Sequence, residues 1–341
     1  MTSLLELRGV TKIFGSGEGA TRAVSEFSHR VDDAHPTITA IAGESGSGKS
    51  TVARLILGFE HPSYGRVLYR GKDLPEIGRD ERKKFRQEIQ AIFQDPFGVY
   101  NPFYRIDHLL YTPVKSFKLA RNKADATDKI RQALRTVGLN PDEVLGRYPH
   151  QLSGGQRQRI TIARALLLQP KLILADEPVS MIDASLRASI LDSLLTLNRE
   201  YRISFVYITH DLTTAYQIAE TLIVLFQGTQ VESGPVADVV RSPKHPYSQL
   251  LVNSIPSPDP EKPWGADAVG TRDPAEVRLA RGCPFAARCP YVMDECIQAH
   301  PPRYQVGRAA VACYLYKDQP VATDDAVPDA IGSERDLVAR R

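Results

Sequence analysis

The first stretch with chemical potential is a glycine-rich run of eight residues, Gly43 to Ser50 (GESGSGKS). It follows an apolar, strand-like run, Ile38 to Ala42, and precedes a helix-like run, Thr51 to Leu57. The spacing G-x-x-x-x-G-K-[ST] between a strand and a helix is typical of a loop whose backbone N–H groups surround a polyphosphate. The following helix would present the positive end of its dipole to the same anion. The pattern therefore predicts a nucleotide-binding site.

Two side chains of this loop have specific roles in the prediction. Lys49 can reach the β- and γ-phosphates, and the Ser50 hydroxyl can ligate Mg²⁺. An ordinary glycine-rich turn is the alternative, and the correct flanks on both sides disfavour it. The predicted nucleotide-binding residues are Gly43, Glu44, Ser45, Gly46, Ser47, Gly48, Lys49, Ser50 and Thr51.

A pair of acids ends the apolar run Leu172 to Asp176, where Asp176 is followed by Glu177. The continuous apolar character predicts a strand that is buried on both faces. If its carboxyl end lies beside the phosphate loop, Asp176 would hold Mg²⁺ and Glu177 could polarise the attacking water as a general base. Two solvated acids at a strand end are the alternative. The upstream loop favours the catalytic interpretation.

A second run with anion-binding character is Leu152 to Gln156 (LSGGQ), before a helix predicted over Gln156 to Leu168. Serine and glycine at a helix N-terminus leave N–H groups available to an anion. Because the phosphate loop already surrounds one side of a nucleotide, this second run needs a different role.

All four cysteines lie near the end of the chain, at Cys283, Cys289, Cys296 and Cys313, with five, six and sixteen residues between them. No apolar run reaches the roughly 18 to 20 residues that cross a bilayer, and no secretory signal is present, so we expect an intracellular protein without disulfides. Four thiolates can hold a [4Fe–4S] cluster or a tetrahedral Zn²⁺. Zinc sites favour paired C-x₂₋₄-C knuckles, which do not occur, so the spacing leans away from zinc; uncoordinated thiols are the last alternative.

Strands and helices that alternate along the chain must position these residues, and they predict an α/β fold with a mostly parallel sheet covered by helices. The net charge of +3 on 341 residues argues against a dedicated nucleic-acid-binding face. The predicted strands are Leu4–Ile13, Thr21–Val31, Ile38–Ala42, a pair within Gly65–Leu74, Ile89–Phe93, Leu172–Asp176, Ser204–Thr209 and Thr221–Phe226. The predicted helices are Thr51–Leu57, Arg79–Glu88, Ile106–Leu119, Ala124–Val137, Gln156–Leu168, Ser185–Arg202 and Leu212–Glu220.

Together these motifs resemble the nucleotide-binding subunits of ATP-binding cassette (ABC) transporters, for which LSGGQ is highly specific. The resemblance covers residues 1 to about 320. It implies an ATP-hydrolysing P-loop NTPase cassette with a RecA-like parallel core, an antiparallel β subdomain and a helical subdomain at about 95–165. In that family the signature covers the γ-phosphate bound by the opposite subunit of a head-to-tail dimer; its residues here are Ser153, Gly154, Gly155 and Gln156.

The remaining family motifs match this chain one at a time. Gln94 matches the glutamine that contacts Mg²⁺ and water, and His210 matches the histidine that contacts the γ-phosphate. Phe14 matches the aromatic that stacks on adenine, with an ordinary core phenylalanine as the alternative. Asp183 matches the D-loop aspartate, although the run SMID at 180–183 departs from the usual S-A-L-D. The implied catalytic residues are Glu177, His210 and Gln94, and the implied Mg²⁺ ligands are Ser50, Gln94 and Asp176.

Two segments resemble the C-terminal extension of the ATPases of dipeptide and oligopeptide importers, namely Ser242 to Leu251 and Gly282 to Tyr291 with the cysteines that follow. This branch implies a [4Fe–4S] cluster on the four cysteines, with Zn²⁺ as the alternative. It divides the chain into an ATPase domain (1–254), an extension that carries the cysteine site (255–318) and a tail (319–341), which its composition predicts to be disordered. The proline-rich run at 255–263 predicts a linker.

The resemblance also implies partners at the cytoplasmic face of the cell membrane, where the subunit would be peripheral. These are two membrane permeases, a second ABC ATPase subunit (identical or related) and, indirectly, an extracytoplasmic substrate-binding protein, with no nucleic acid. Short peptides are the expected cargo, with nickel or oligosaccharides as alternatives. A soluble ABC ATPase acting on DNA or ribosomes is the rival class. It is disfavoured because about 100 residues separate the phosphate loop from the signature and only one cassette is present.

Overall fold

The computed structural model describes residues 3–95, 98–255 and 282–322. Within them, twelve strands join into one sheet. The strands are β1 (Ser3–Phe14), β2 (Thr21–Asp32), β3 (Ile38–Ala42), β4 (Tyr64–Tyr69), β5 (Lys72–Asp73), β6 (Ile89–Ile92), β7 (Leu172–Asp176), β8 (Ser204–Thr209), β9 (Thr221–Phe226), β10 (Thr229–Pro235), β11 (Tyr304–Val306) and β12 (Ala309–Val311). The helices are α1 (Lys49–Ile56), α2 (Arg79–Glu88), α3 (Ile106–Ser116), α4 (Lys123–Thr136), α5 (Pro141–Val144), α6 (Gly154–Leu166), α7 (Ala184–Tyr201), α8 (Leu212–Ile218), α9 (Val236–Arg241), α10 (Pro246–Asn253) and α11 (Asp294–Gln298).

Five strands form a parallel core in the order β9-β3-β8-β7-β6. Every residue of β3 and β8 is buried, which explains their continuous apolar sequences. Alternate residues of each strand belong to different hydrophobic clusters: Leu172 and Leu174 pack with α1, whereas Ile173 and Ala175 pack with the helices on the opposite face. The predicted α/β fold with a helix-covered parallel sheet is confirmed.

An antiparallel sheet, β5-β4-β1-β2, continues the core at one edge, as expected for the β subdomain. Its end is fixed to the core by Arg70, which forms ion pairs with Asp33 at 2.8 Å and with Glu88 at 2.9 Å. Lys171, just before β7, contacts the same Asp33 carboxylate at 2.7 Å. These side chains are partly buried, so the network is worth more than an exposed pair and attaches the antiparallel strands to the parallel core.

Helices α3 to α6 follow β6 and precede β7 in the sequence, and they pack together as a separate layer. Leu110, Ile130, Leu134 and Ile160 are fully buried where these helices meet. Helix α6 begins at Gly154, two residues before the predicted start, because Ser153 caps it. In the part of the chain that the structure describes, no helix has the length and apolar character that would cross a membrane.

The cysteine-bearing segment packs directly on the ATPase core. Strand β12 pairs antiparallel with β10, and the N–H of Ala312 donates to the carbonyl of Val231 at 2.8 Å. Cys283 and Phe285 belong to the main hydrophobic cluster. The sequence predicted neither β10 nor α9. The predicted linker, apart from Ile255, and the predicted tail beyond residue 322 lie outside the described residues.

His29 is an unusual group in the core of the antiparallel sheet. It is buried, and neither ring nitrogen has a hydrogen-bond partner among the described residues. Burial lowers its pKa to about 4, so the folded protein holds the neutral ring. Below pH 6.5 the unfolded chain takes up this proton more readily than the folded one, so stability falls as the pH falls from about 6.5 towards 4.

We therefore expect His29→Leu to reduce the acid sensitivity of the fold. The variant should gain up to about 3 kcal/mol relative to wild type between pH 7 and pH 4, because leucine has no proton to take up. Urea unfolding at a series of pH values measures this difference. His35→Gln, at an exposed turn, is the control and should follow wild type. Parallel pH profiles of His29→Leu and wild type would contradict the assignment.

Candidate functional site

The phosphate-binding loop lies between β3 and α1, as predicted. Lys49 folds back into the loop, where its Nζ donates to the carbonyls of Gly43 at 2.7 Å and Glu44 at 2.8 Å. The side chain is buried, and burial lowers its pKa, while the charges of Glu177, Asp176 and Glu44 raise it. The first residue of α1 is Lys49 itself, so the helix presents its N-terminus to the loop. Polyphosphate chemistry fits this arrangement.

The loop has no room for side chains at Gly48. This residue has φ of 101°, and a Cβ there would lie 2.4 Å from the carbonyl oxygen of Ala23. A similar clash occurs at Gly43, where a Cβ would lie 2.2 Å from the carbonyl oxygen of Leu225. The sheet backbone therefore touches the loop from below and holds it in shape.

The acid pair lies at the carboxyl end of β7. Glu177 has a left-handed backbone (φ 45°), and its N–H donates to the carbonyl of Ile208 at 2.9 Å. The turn directs its carboxylate towards two residues predicted from the resemblance: Gln94 Nε2 donates to one oxygen at 2.8 Å, and His210 Nδ1 lies 2.9 Å from the other. Burial and the Glu177 charge raise the pKa of Asp176, while Lys49 lowers it. The structure thus brings Gln94, Glu177 and His210 together.

The signature residues have a local role in this chain. The Ser153 hydroxyl accepts the N–H of Gln156 at 3.2 Å, and Gln156 Oε1 accepts the N–H of Ser153 at 2.9 Å. This reciprocal capping box fixes the start of α6. Gly155 faces Leu186 of α7 so closely that a Cβ would lie 3.0 Å from its Cδ1. Ser153 remains exposed at the surface.

Comparison with known proteins gives the family. Residues 32–180 match the model described as ABC transporter, and residues 231–296 match the one described as oligopeptide/dipeptide transporter, C-terminal region. The oligopeptide transport ATP-binding protein OppF of Salmonella typhimurium is 39% identical over 275 residues, which are 80% of this chain and 82% of that protein. The chain belongs to the oligopeptide/dipeptide family of ABC transporter ATP-binding subunits.

Two further relatives support the same assignment. The di/tripeptide transport ATP-binding protein DppF of Pseudomonas aeruginosa is 34% identical, over 92% of this chain and 98% of that protein. The dimeric ATP-binding cassette MJ0796, in a post-hydrolysis state bound to ADP and Pi, superposes with a TM-score of 0.60 at 29% identity, covering 68% of this chain and 98% of that one. The predicted family and the P-loop NTPase cassette fold are confirmed, and this subunit is an ABC ATPase coupled to transport.

The roles predicted for Phe14 and Asp183 of this ABC subunit remain predictions. Phe14 lies at the end of β1, where 36% of the residue is exposed and the Lys12 ammonium lies 5.0 Å from the ring centre. It is therefore not an ordinary core phenylalanine, and the exposed ring is compatible with base stacking. Asp183 is the exposed residue before α7, and its carbonyl accepts the N–H groups of Leu186 and Arg187.

One part of the ABC site was missed by sequence reasoning. Glu44 is paired with Arg288 of the C-terminal extension, and its N–H donates to the hydroxyl of Tyr247 at 2.9 Å. These residues lie at least 200 positions from Glu44 in the sequence. No local pattern could have found the contact, because it depends on how the extension packs against the loop.

The four cysteines of the extension line one cavity, together with Phe285 and Met293. All four are free thiols; Cys289 is half-buried and the other three are buried. The pKa of the Cys283 thiol is raised to about 12, mainly by burial and further by the three neighbouring cysteines. Among residues 3–95, 98–255 and 282–322, no group of three or more His, Cys, Asp or Glu side chains is placed to hold a metal ion.

We expect Gly48→Ala to abolish ATP binding, because the added methyl group would push the loop away from Ala23. Gly307→Ala is the matched control, since Gly307 also has a positive φ (61°) but open space around its Cβ position. This control should cost about 1 kcal/mol of stability and retain ATP binding. Isothermal titration with Mg-ATP measures both. Normal ATP affinity in Gly48→Ala would refute this account of the loop.

Proposed function

We propose that this subunit hydrolyses Mg-ATP with Glu177 as the general base and thereby drives the uptake of short peptides through partner permeases. One observation carries the catalytic assignment: Gln94 and His210 both contact the carboxylate of Glu177. Glu177 is held between an amide donor and an imidazole, which fix the orientation of its carboxylate. A group in that position can take a proton from water as it attacks the γ-phosphate.

The other residues of the site would bind and orient the nucleotide. The loop N–H groups and Lys49 would hold the phosphates, and Phe14 would stack on adenine. Ser50, Gln94 and Asp176 offer the oxygen ligands that Mg²⁺ prefers, and the repulsion between Asp176 and Glu177 would be relieved by a cation there. When bound, Mg²⁺ supplies charge neutralisation at the phosphate oxygens. His210 would contact the γ-phosphate, and its contact with Glu177 would link the γ-phosphate to the general base.

A second ABC subunit would complete the site. Ser153 and Gln156 are occupied with capping α6, and the exposed serine and helix N-terminus are suited to an anion held by another chain. The similar MJ0796 cassette is dimeric, which supports a head-to-tail pair. Asp183, exposed before α7, would carry the D-loop contact between the two subunits.

Peptide cargo is supported by the match of residues 231–296 and by relatives named for oligopeptide and di/tripeptide transport. Nickel or oligosaccharide uptake by the same kind of importer is the alternative. Permease docking is supported by a cleft of about 310 Å³ that opens beside strand β6, two residues before Gln94. Its lining includes Phe59, Arg82, Phe85, Arg86, Phe93 and Arg164. Docking there would place the subunit at the cytoplasmic face of the membrane.

We propose that the cysteine-lined cavity holds a [4Fe–4S] cluster, which the resemblance to the importer ATPases implies. In a zinc site four sulfurs surround one metal at about 2.3 Å, whereas in a cluster the thiolates bind different irons and stand further apart. The four cysteines share one apolar cavity, and such a donor set suits a cluster. Zn²⁺ is the alternative occupant. The cluster would stiffen the segment, and hydrolysis itself needs no electron from it.

Glu177→Gln tests the catalytic proposal. The amide has nearly the same shape and still meets Gln94 and His210, but it cannot take a proton, so we expect ATP binding to be retained and turnover to fall by at least roughly a hundredfold. ATPase rate and ATP affinity are measured on the same preparations. Glu200→Gln, at an exposed position of α7, is the control and should hydrolyse like wild type. Wild-type turnover in Glu177→Gln would exclude Glu177 as the base.

Anaerobic purification tests the cluster proposal. We expect about four iron and four sulfide per chain with a brown absorption band, and a large loss of iron in Cys296→Ser. Met293→Leu, in the same cavity, removes sulfur but no thiolate and should retain the iron. A colourless protein with one zinc per chain would favour the alternative, and a metal-free protein would refute both.

A further inference from the structure

The phosphate-binding loop is in direct contact with the cysteine-bearing segment. Arg288, the residue before Cys289, places its Nη1 and Nη2 atoms 3.0 Å from the two carboxylate oxygens of Glu44. A two-pronged pair of this kind fixes the relative orientation of guanidinium and carboxylate, not only their distance. Glu44 is the second residue of the loop, and its carbonyl accepts the Lys49 ammonium. The pair therefore acts at the residue that also holds Lys49.

Aromatic rings hold the Arg288 side chain in place. Its guanidinium carbon lies 5.6 Å from the ring centre of Phe285 and 5.7 Å from that of Phe226. Both distances are within the range of cation–π attraction. Phe226 ends β9 of the ATPase core, whereas Phe285 lines the cysteine cavity. The orientation of Arg288 thus depends on both parts of the chain.

Tyr247 makes the second link between loop and extension. Its hydroxyl accepts the N–H of Glu44 at 2.9 Å, and its ring is fully buried. The ring packs against Phe226 at 4.5 Å and Phe285 at 5.5 Å between centres. Backbone and side chain of Glu44 are therefore held by the same aromatic cluster, whose other side is the wall of the cysteine cavity.

The charge of Glu44 makes this contact relevant to ATP. A carboxylate beside a loop that binds several phosphate charges opposes that binding unless it is neutralised. Arg288 supplies the opposite charge at 3.0 Å. We propose that Arg288 is a positioning residue for ATP, which neutralises and orients Glu44, and that through the adjacent Cys289 it makes ATP affinity depend on whether the cysteine-lined cavity is occupied. The dependence on occupancy rests on the metal site proposed above.

The first experiment measures ATP binding by the full-length chain. Arg288→Ala should raise the Kd and KM for ATP roughly three- to tenfold and leave kcat at saturating ATP within about twofold, because Arg288 contacts neither Glu177 nor His210. Arg308→Ala is the matched control, since Arg308 also forms a two-pronged pair between the extension and the ATPase core, with Asp238 at 2.7 and 2.9 Å. It should bind ATP like wild type.

A second substitution distinguishes charge neutralisation from a merely structural role. Glu44→Gln removes the uncompensated charge, so Arg288→Ala with Glu44→Gln should recover ATP affinity to within about twofold of wild type. Thermal unfolding of each variant accompanies the titrations. An equal loss of affinity in Arg308→Ala, or a loss in Arg288→Ala that Glu44→Gln does not restore, would overturn the positioning role.

The last experiment tests the coupling to the cavity. Anaerobically purified chain is titrated with ATP before and after chelation of its metal, and again after reconstitution with iron and sulfide. We expect at least a threefold difference in the Kd for ATP between the metal-loaded and metal-free forms of wild type. We expect no difference in Arg288→Ala, because this substitution removes the side chain through which the two sites are coupled. Equal affinities in both wild-type forms would overturn the coupling. A chain that takes up no metal refutes the cofactor proposal and the coupling, and leaves the Arg288→Ala titrations as the test of positioning.

Discussion

The Lys49 ammonium is buried inside the phosphate loop, where burial alone would lower its pKa and favour loss of its charge. The negative charges of Glu177, Asp176 and Glu44 oppose that shift. The carbonyls of Gly43 and Glu44 accept its hydrogen bonds. A fixed cation in a poorly solvated place attracts phosphate strongly, and the same groups hold Lys49 in position within the loop.

Strand order decides which groups reach that cation. Because β3, β7 and β8 are neighbours and run parallel, their carboxyl ends place the loop, Glu177 and His210 at one edge of the sheet. The left-handed turn at Glu177 then brings its carboxylate between Gln94 and His210. A non-glycine residue in that conformation carries strain, which the hydrogen bond to Ile208 and the following turn at Ser180 offset. The arrangement of Gln94, Glu177 and His210 is therefore a property of the sheet rather than of any single motif.

The sequence predicted those features whose physical cause is local. The loop and the LSGGQ run depend on glycine freedom and on a capping box, which need residues only a few positions apart. Strand β10 was missed because its sequence, TQVESGP, is polar and glycine-containing, and it forms a strand only through pairing with β9 and β12. The contact of Glu44 with Arg288 was missed for the same reason, since 244 positions separate the two residues. Contacts between residues so far apart in the sequence form only when the whole chain has folded.

The packing of the extension also changes what a ligand in the cysteine cavity could do. A small segment without a core would use the binding free energy of a metal to fold. Here Cys283 and Phe285 are already part of the main hydrophobic cluster, the N–H of Cys283 donates to the carbonyl of Cys296 at 2.8 Å, and β12 extends the central sheet. Because this packing already attaches the segment to the core, an occupant would mainly change the positions of the cysteines and of the residues attached to them. Arg288 is the attached residue that meets the phosphate loop.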